Sequence, residues 1–173
     1  MLFLEILKRE KLTLILYLYV QKKINIQNKR AKFEYKFIEE YTAGIVLTGT
    51  EIKSLRNSKA SISESFCEFN QSGELFTVNM QIEEYSFGTR FNHRPKAQRK
   101  LLLNKKELKK LHKEVKINGL TIVPINLFIN EKGLAKLTIV LAKGKKLYDK
   151  REIIKDRDNK RTLDRIKKKF NKG

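Results

Sequence analysis

The two histidines of the chain, His93 and His112, stand nineteen positions apart. One lies in a basic stretch; the other follows Leu111 on a helix-periodic segment and reads as a surface histidine, not a general base. Cys67 is the one cysteine, which excludes an internal disulfide and a four-sulfur zinc site. Set between Phe66 and Phe69 in Ser65-Phe-Cys-Glu-Phe69, it reads as a buried structural thiol. Glu39-Glu40 and Glu83-Glu84 are paired acids, but neighbours on a strand point to opposite faces, so neither pair shares a proton or a metal. Lys143-Gly-Lys-Lys146 lacks the upstream glycine of a phosphate loop, and no GxGxxG, HExxH or GxSxG string occurs. These residues assemble no active site, and the chain is expected to be no enzyme and to need no cofactor, metal or small-molecule substrate.

What remains is ion pairing and stacking. The chain carries 39 Lys/Arg against 19 Asp/Glu, a net charge of +20, which draws it to a polyanion. Lys29, Arg30 and Lys32 form one cluster, and Lys53 and Arg56 are three apart, hence on one side of a helix. Arg90, Arg94, Lys96, Arg99 and Lys100 crowd a third stretch, with Phe87, Phe91 and His93 interleaved. Cations satisfy phosphates, while aromatic faces stack on unpaired bases. From Lys143 to Gly173 there are 14 Lys/Arg against 5 Asp/Glu, with apolar groups too sparse for a core.

The elements that must position these groups follow from periodicity. Phe33 to Leu47 is β-rich and predicts a long bent strand interrupted at Gly44. Thr48 and Glu51 have capping-box spacing and start a short helix to about Ser58. Ser61–Phe69 and Leu75–Ile82 read as strands joined by a turn at Gln71–Glu74; Arg90 to Lys100 reads as an exposed loop. Asn104 and Glu107 cap a second helix, whose Leu111 and Val115 face the core. Leu120–Ile129 and Leu134–Ala142 are two further strands about a turn at Asn130–Gly133. The set is mainly β and suits a small oligonucleotide-binding β-barrel of about six strands with two or three short helices, a split α+β sheet being the competing arrangement. Residues 28–142 are expected to form the barrel. Residues 143–173 form a basic tail, disordered when free or a loose helix from about Arg151. Residues 1–27 are an extension. Its run Leu12–Val20 is too short for a membrane span, and translation is expected to begin near Val20.

Several strings together resemble the SmpB family of SsrA-binding proteins: Asn28-Lys-Arg-Ala31 with Glu34-Tyr35, Glu51-Ile-Lys-Ser-Leu-Arg56, Arg99-Lys-Leu-Leu-Leu-Asn104, and Ala142-Lys-Gly-Lys-Lys146 with Asp149-Lys-Arg151. The resemblance runs from about Asn28 to Phe170. It implies an oligonucleotide-binding barrel that grips the tRNA-like domain of transfer-messenger RNA. It also implies a tail that occupies the empty mRNA channel and decoding site of a stalled ribosome. The partners implied are transfer-messenger RNA and the ribosome, for a cytoplasmic monomer without a membrane. The family's RNA-binding positions fall on Asn28, Lys29, Arg30, Glu51, Lys53, Arg56, Leu103 and Asn104, to which the basic stretch adds Arg99 and Lys100. Glu51 would accept from a base amino group or orient Lys53 or Arg56. The ribosome-binding positions fall on Lys143, Gly144, Lys145, Lys146, Tyr148, Asp149, Lys150, Arg151 and Ile166. Tyr148 stands where many relatives carry histidine, a change that preserves stacking but not a proton-dependent contact. By composition alone, a ribosomal or ribosome-assembly protein that binds rRNA fits as well.

Overall fold

The structure, a computed structural model, describes residues 24–88 and 91–170. The readings made for Met1–Val20 and for Arg90 lie outside the described residues. Strand β1 (Asn25–Gln27) leads through Asn28 into a one-turn helix α1 (Ala31–Glu34), and only then does the long strand β2 (Tyr35–Ile45) begin. The expected strand from Phe33 thus starts two residues later. The Asn28 Oδ1 accepts from the Ala31 amide at 3.2 Å and so caps a turn of helix ahead of it.

After β2 come helix α2 (Gly49–Arg56) and strands β3 (Ala60–Ser61), β4 (Phe66–Phe69), β5 (Leu75–Val78) and β6 (Gln81–Ile82). Strand β7 (Arg99–Leu102), helix α3 (Lys105–Asn118), strands β8 (Thr121–Ile129) and β9 (Ala135–Gly144), and helix α4 (Leu147–Phe170) complete the described chain. The single return strand expected over Leu75–Ile82 is two strands. Asn79 has a positive φ of 59°, which turns the chain out of the main sheet and lets β6 pair with β3.

The main sheet runs β1-β8-β4-β5-β7-β2-β9, and β8 also pairs with β9. Six of its strands therefore close into a ring, with β1 laid on the outside of β8. Every strand pair in it is antiparallel. Two similar turns set register. Asn70 and Asn130 each accept on the side-chain oxygen from the amide four residues on, at 2.8 Å in both, and Gly73 and Gly133 follow at φ near +73° and +75°. A bulge at Pro124/Asn126 in β8 absorbs a proline that has no amide to donate.

Inward-facing residues of the ring, Leu75, Leu101, Leu127, Leu137, Ile139 and Leu141 among them, form one core. Leu55 from α2 and Leu111 from α3 plug it, each fully buried. The periodic positions of α3 thus face inward as expected. Truncating one such leucine removes about 2–5 kcal/mol. Helix α4 is different: from Ile154 to Lys168 every residue is exposed, so its helicity comes from its own propensity.

Candidate nucleic-acid interface

The amino-terminal cluster and the root of the tail, about 110 residues apart in sequence, are one surface. Tyr35 is paired with Gly144 and Lys36 with Lys143 where β2 meets β9. The Lys145 amide donates to the Glu34 carbonyl at 2.9 Å, and its Nζ donates to the Lys32 carbonyl at 2.7 Å. Arg157 of α4 lies over the Phe33 ring at 5.9 Å. Lys29, Arg30, Lys32, Lys36, Lys143 and Lys146 are exposed around this junction. Two lysines directly opposite on a strand pair repel each other, an arrangement that a bound anion relieves. Arg30 is shared with Glu34 at 2.8 Å. Gly144 is exposed at the end of β9, and the Asp149 carboxylate accepts from the Lys146 amide at 3.1 Å, starting α4 at Leu147 instead of Arg151. Tyr148, Arg151 and Ile166 are exposed on α4, while Asp149 and Lys150 are half-buried.

Asn28 itself is buried. Its Nδ2 points at the carbonyls of Ile62, Ser63 and Pro124 at 3.2–3.3 Å, and its amide donates to Ile125 at 2.9 Å. It clasps β1, β8 and the segment before β4, and so fixes the direction in which Lys29 and Arg30 emerge.

A second basic surface surrounds α2. Thr48 and Glu51 make the expected capping box, the Glu51 Oε2 accepting from the Thr48 amide at 2.7 Å. The other Glu51 oxygen departs from expectation. It accepts from Arg99 Nε at 2.8 Å, and the two side chains are only 4% and 2% exposed. The remaining Arg99 donors reach the carbonyls of Met80, Ala97 and Pro95 at 2.7, 2.9 and 3.1 Å. Placing Arg99 in an exposed loop is therefore corrected: it is an interior residue of β7. Likewise Glu51 orients neither Lys53 nor Arg56. The signal was the strand alternation, which puts Arg99 on the inward face with Leu101.

Lys53 and Arg56 are exposed on α2, and the Lys53 ammonium sits 5.5 Å above the Tyr85 ring. Lys100 is turned outward and paired with Glu74, whose carboxyl this contact holds below its usual range. Leu103 packs against the core, and Asn104 is exposed at the start of α3, where its amide donates to Glu107 at 2.9 Å. The chain joins both to α3, not to α2. Glu39, far from an acid pair, accepts from Lys110 of α3 at 2.7 Å, which lowers its pKa and raises that of Lys110. Cys67 is buried, and that burial pushes its thiol well above the ordinary range. Among the described residues no group of three or more His, Cys, Asp or Glu is placed to hold a metal ion, and no helix is long and apolar enough to cross a membrane.

Two basic surfaces thus lie on a closed antiparallel ring, and one of them is continued by an exposed cationic helix. The family model described as "SmpB protein" matches residues 25–169. The chain belongs to the SmpB family. It is 68% identical over 149 residues to the SsrA-binding protein of Flavobacterium psychrophilum, covering 86% of this chain and 99% of the relative. The SsrA-binding protein of Christiangramia forsetii is 64% identical over 152 residues, covering 88% and 96%. That of Agrobacterium fabrum is 48% identical over 149 residues, covering 86% and 92%. Among solved structures, a chain described as "tmRNA-SmpB: a journey to the center of the bacterial ribosome" superposes with a TM-score of 0.60 at 44% identity, over 72% of this chain and 86% of that one. The mainly β fold expected from the periodicity, and implied by the resemblance, is the fold observed.

Proposed function

We propose that this chain binds the tRNA-like domain of transfer-messenger RNA and delivers it to stalled ribosomes in trans-translation. The observation that carries this reading is similarity to SsrA-binding proteins across nearly their whole length. The protein works by binding, without catalysis or cofactor, in the cytoplasm. Its closed ring supplies the rigid RNA grip through Lys29, Arg30, Lys53, Arg56, Lys100 and Asn104. Asn28, Glu51, Arg99 and Leu103 hold those groups in place from inside.

The tail from Lys143 then enters the mRNA channel, reaching the decoding site with Lys145, Lys146, Tyr148, Lys150, Arg151 and Ile166. A cationic helix without a core behind it is free to dock in a polyanionic channel, and mRNA already in the channel excludes it by competing for the same space. Ending the chain after Lys146 keeps β9 whole. That truncation is expected to bind transfer-messenger RNA as the full chain does and to abolish peptide tagging on stalled ribosomes. Retained tagging would defeat the tail's assigned role.

A further inference from the structure

The most exposed aromatic side chains among the described residues are Phe87 and Phe91, at 83% and 89%. Both belong to the segment between β6 and β7, which crosses beside α2. Large apolar rings left in water call for a partner. The chain that carries them is fastened on either side, at Tyr85 and at Asn92. Asn92 Nδ2 donates to the Tyr85 carbonyl at 3.0 Å, and Asn92 Oδ1 accepts from the Tyr85 and His93 amides at 3.3 and 3.0 Å. The amide side chain thus stands in for a strand and closes the loop at its base.

Gly88 is required by that closure. A Cβ there would lie 2.6 Å from Asn92 Nδ2 and 2.9 Å from the Tyr85 carbonyl oxygen. The His93 ring then pins the loop to the body through the Ile82 carbonyl at 3.2 Å and the Thr50 hydroxyl at 2.9 Å. Since a carbonyl only accepts, Nε2 carries the proton in the contact with Ile82. Tyr85 meets Phe87 edge to face at 5.7 Å and carries Lys53 on its own face.

We propose that Phe87 and Phe91, backed by Tyr85 and Lys53, form a stacking site for an unpaired base of RNA. The surrounding charge selects this occupant. Lys53, Arg56, Arg94 and Lys96 are exposed on α2 and this segment, against Glu83 and Glu84, and Glu83 is already shared with Lys59 at 3.8 Å. Exposed planar rings beside several cations match the base and the phosphates of a single-stranded nucleotide. Fastening the chain on either side of the rings lowers the ordering cost on binding. The site deepens the RNA-binding reading and rests on it: it adds recognition of an unpaired nucleotide to a grip made by cations.

The test uses the full chain and a single-stranded RNA octamer carrying one central 2-aminopurine, with a fully paired hairpin of equal length as control. Binding is expected to quench the 2-aminopurine. The Phe87→Ala, Phe91→Ala double variant is expected to lose the quench and about tenfold in octamer affinity, with hairpin affinity and the salt dependence unchanged. Leucine at both positions keeps the apolar bulk and is expected to fail as alanine does, whereas tryptophan restores the quench. No quench with the unaltered chain, alanine variants that bind and quench normally, or full function with leucine would overturn the stacking site and point to a protein partner for the rings. Failure of the tRNA-like-domain reading shows separately, as equal affinity of the unaltered chain for that domain and for the hairpin, and leaves the octamer result to decide this site.

Discussion

Glu51 shows how a residue's neighbours in space redirect its role. Its cap on α2 was legible three residues away at Thr48, because a capping box is a local pattern. Its partnership with Arg99 was not, because 48 positions separate the two and Arg99 stands in sequence among exposed cations. The pair is enclosed, and removing one member leaves the other charge buried and alone. Glu51→Ala is therefore expected to cost about 3–5 kcal/mol of stability, read by urea unfolding, and to weaken RNA binding through loss of the fold around β7. A Glu51→Ala protein as stable as the unaltered chain, yet unable to bind RNA, would restore a direct RNA contact for this carboxylate. Asn28 carries the same lesson: the resemblance implies an RNA-binding position, while its side-chain amide points at the carbonyls of Ile62, Ser63 and Pro124.

Among the elements, those with local chemistry were legible and those decided by distant pairing were not. The turns at Asn70–Glu74 and Asn130–Leu134 carry their own asparagine and glycine, and both helix caps carry their own acid. The break between β5 and β6 hangs on one asparagine with positive φ, a conformation that sequence permits without announcing. For the tail, read as disordered when free or as a loose helix from about Arg151, the helix of the second reading begins at Leu147, where Asp149 accepts from the Lys146 amide. At the β2–β9 junction, Lys36 faces Lys143. Lys36→Glu replaces repulsion with attraction and is expected to stabilise the free protein by about 0.2–1 kcal/mol while weakening RNA binding. A variant that gains stability and loses no affinity would place the RNA elsewhere. Removing the chain after Lys146 is expected to lower far-UV helicity and leave the unfolding temperature nearly unchanged, since α4 buries little. A large drop in that temperature would mean that α4 supports the ring.

Taken whole, the molecule divides its work between a rigid ring and an exposed helix, and its +20 charge serves both. Charge alone makes any basic protein bind any RNA, and such binding weakens steeply as salt displaces it. Shape is what separates a partner of one RNA from a general binder. The most direct measurement is a titration against transfer-messenger RNA, with alanine tRNA and a length-matched rRNA hairpin as competitors, at two salt concentrations. Preference for transfer-messenger RNA is expected to persist at the higher salt, because buried hubs such as Asn28 and the Glu51–Arg99 pair fix the spacing of the two basic surfaces. Equal affinity for all three RNAs, lost together as salt rises, would contradict this account and leave a basic protein suited to rRNA in general.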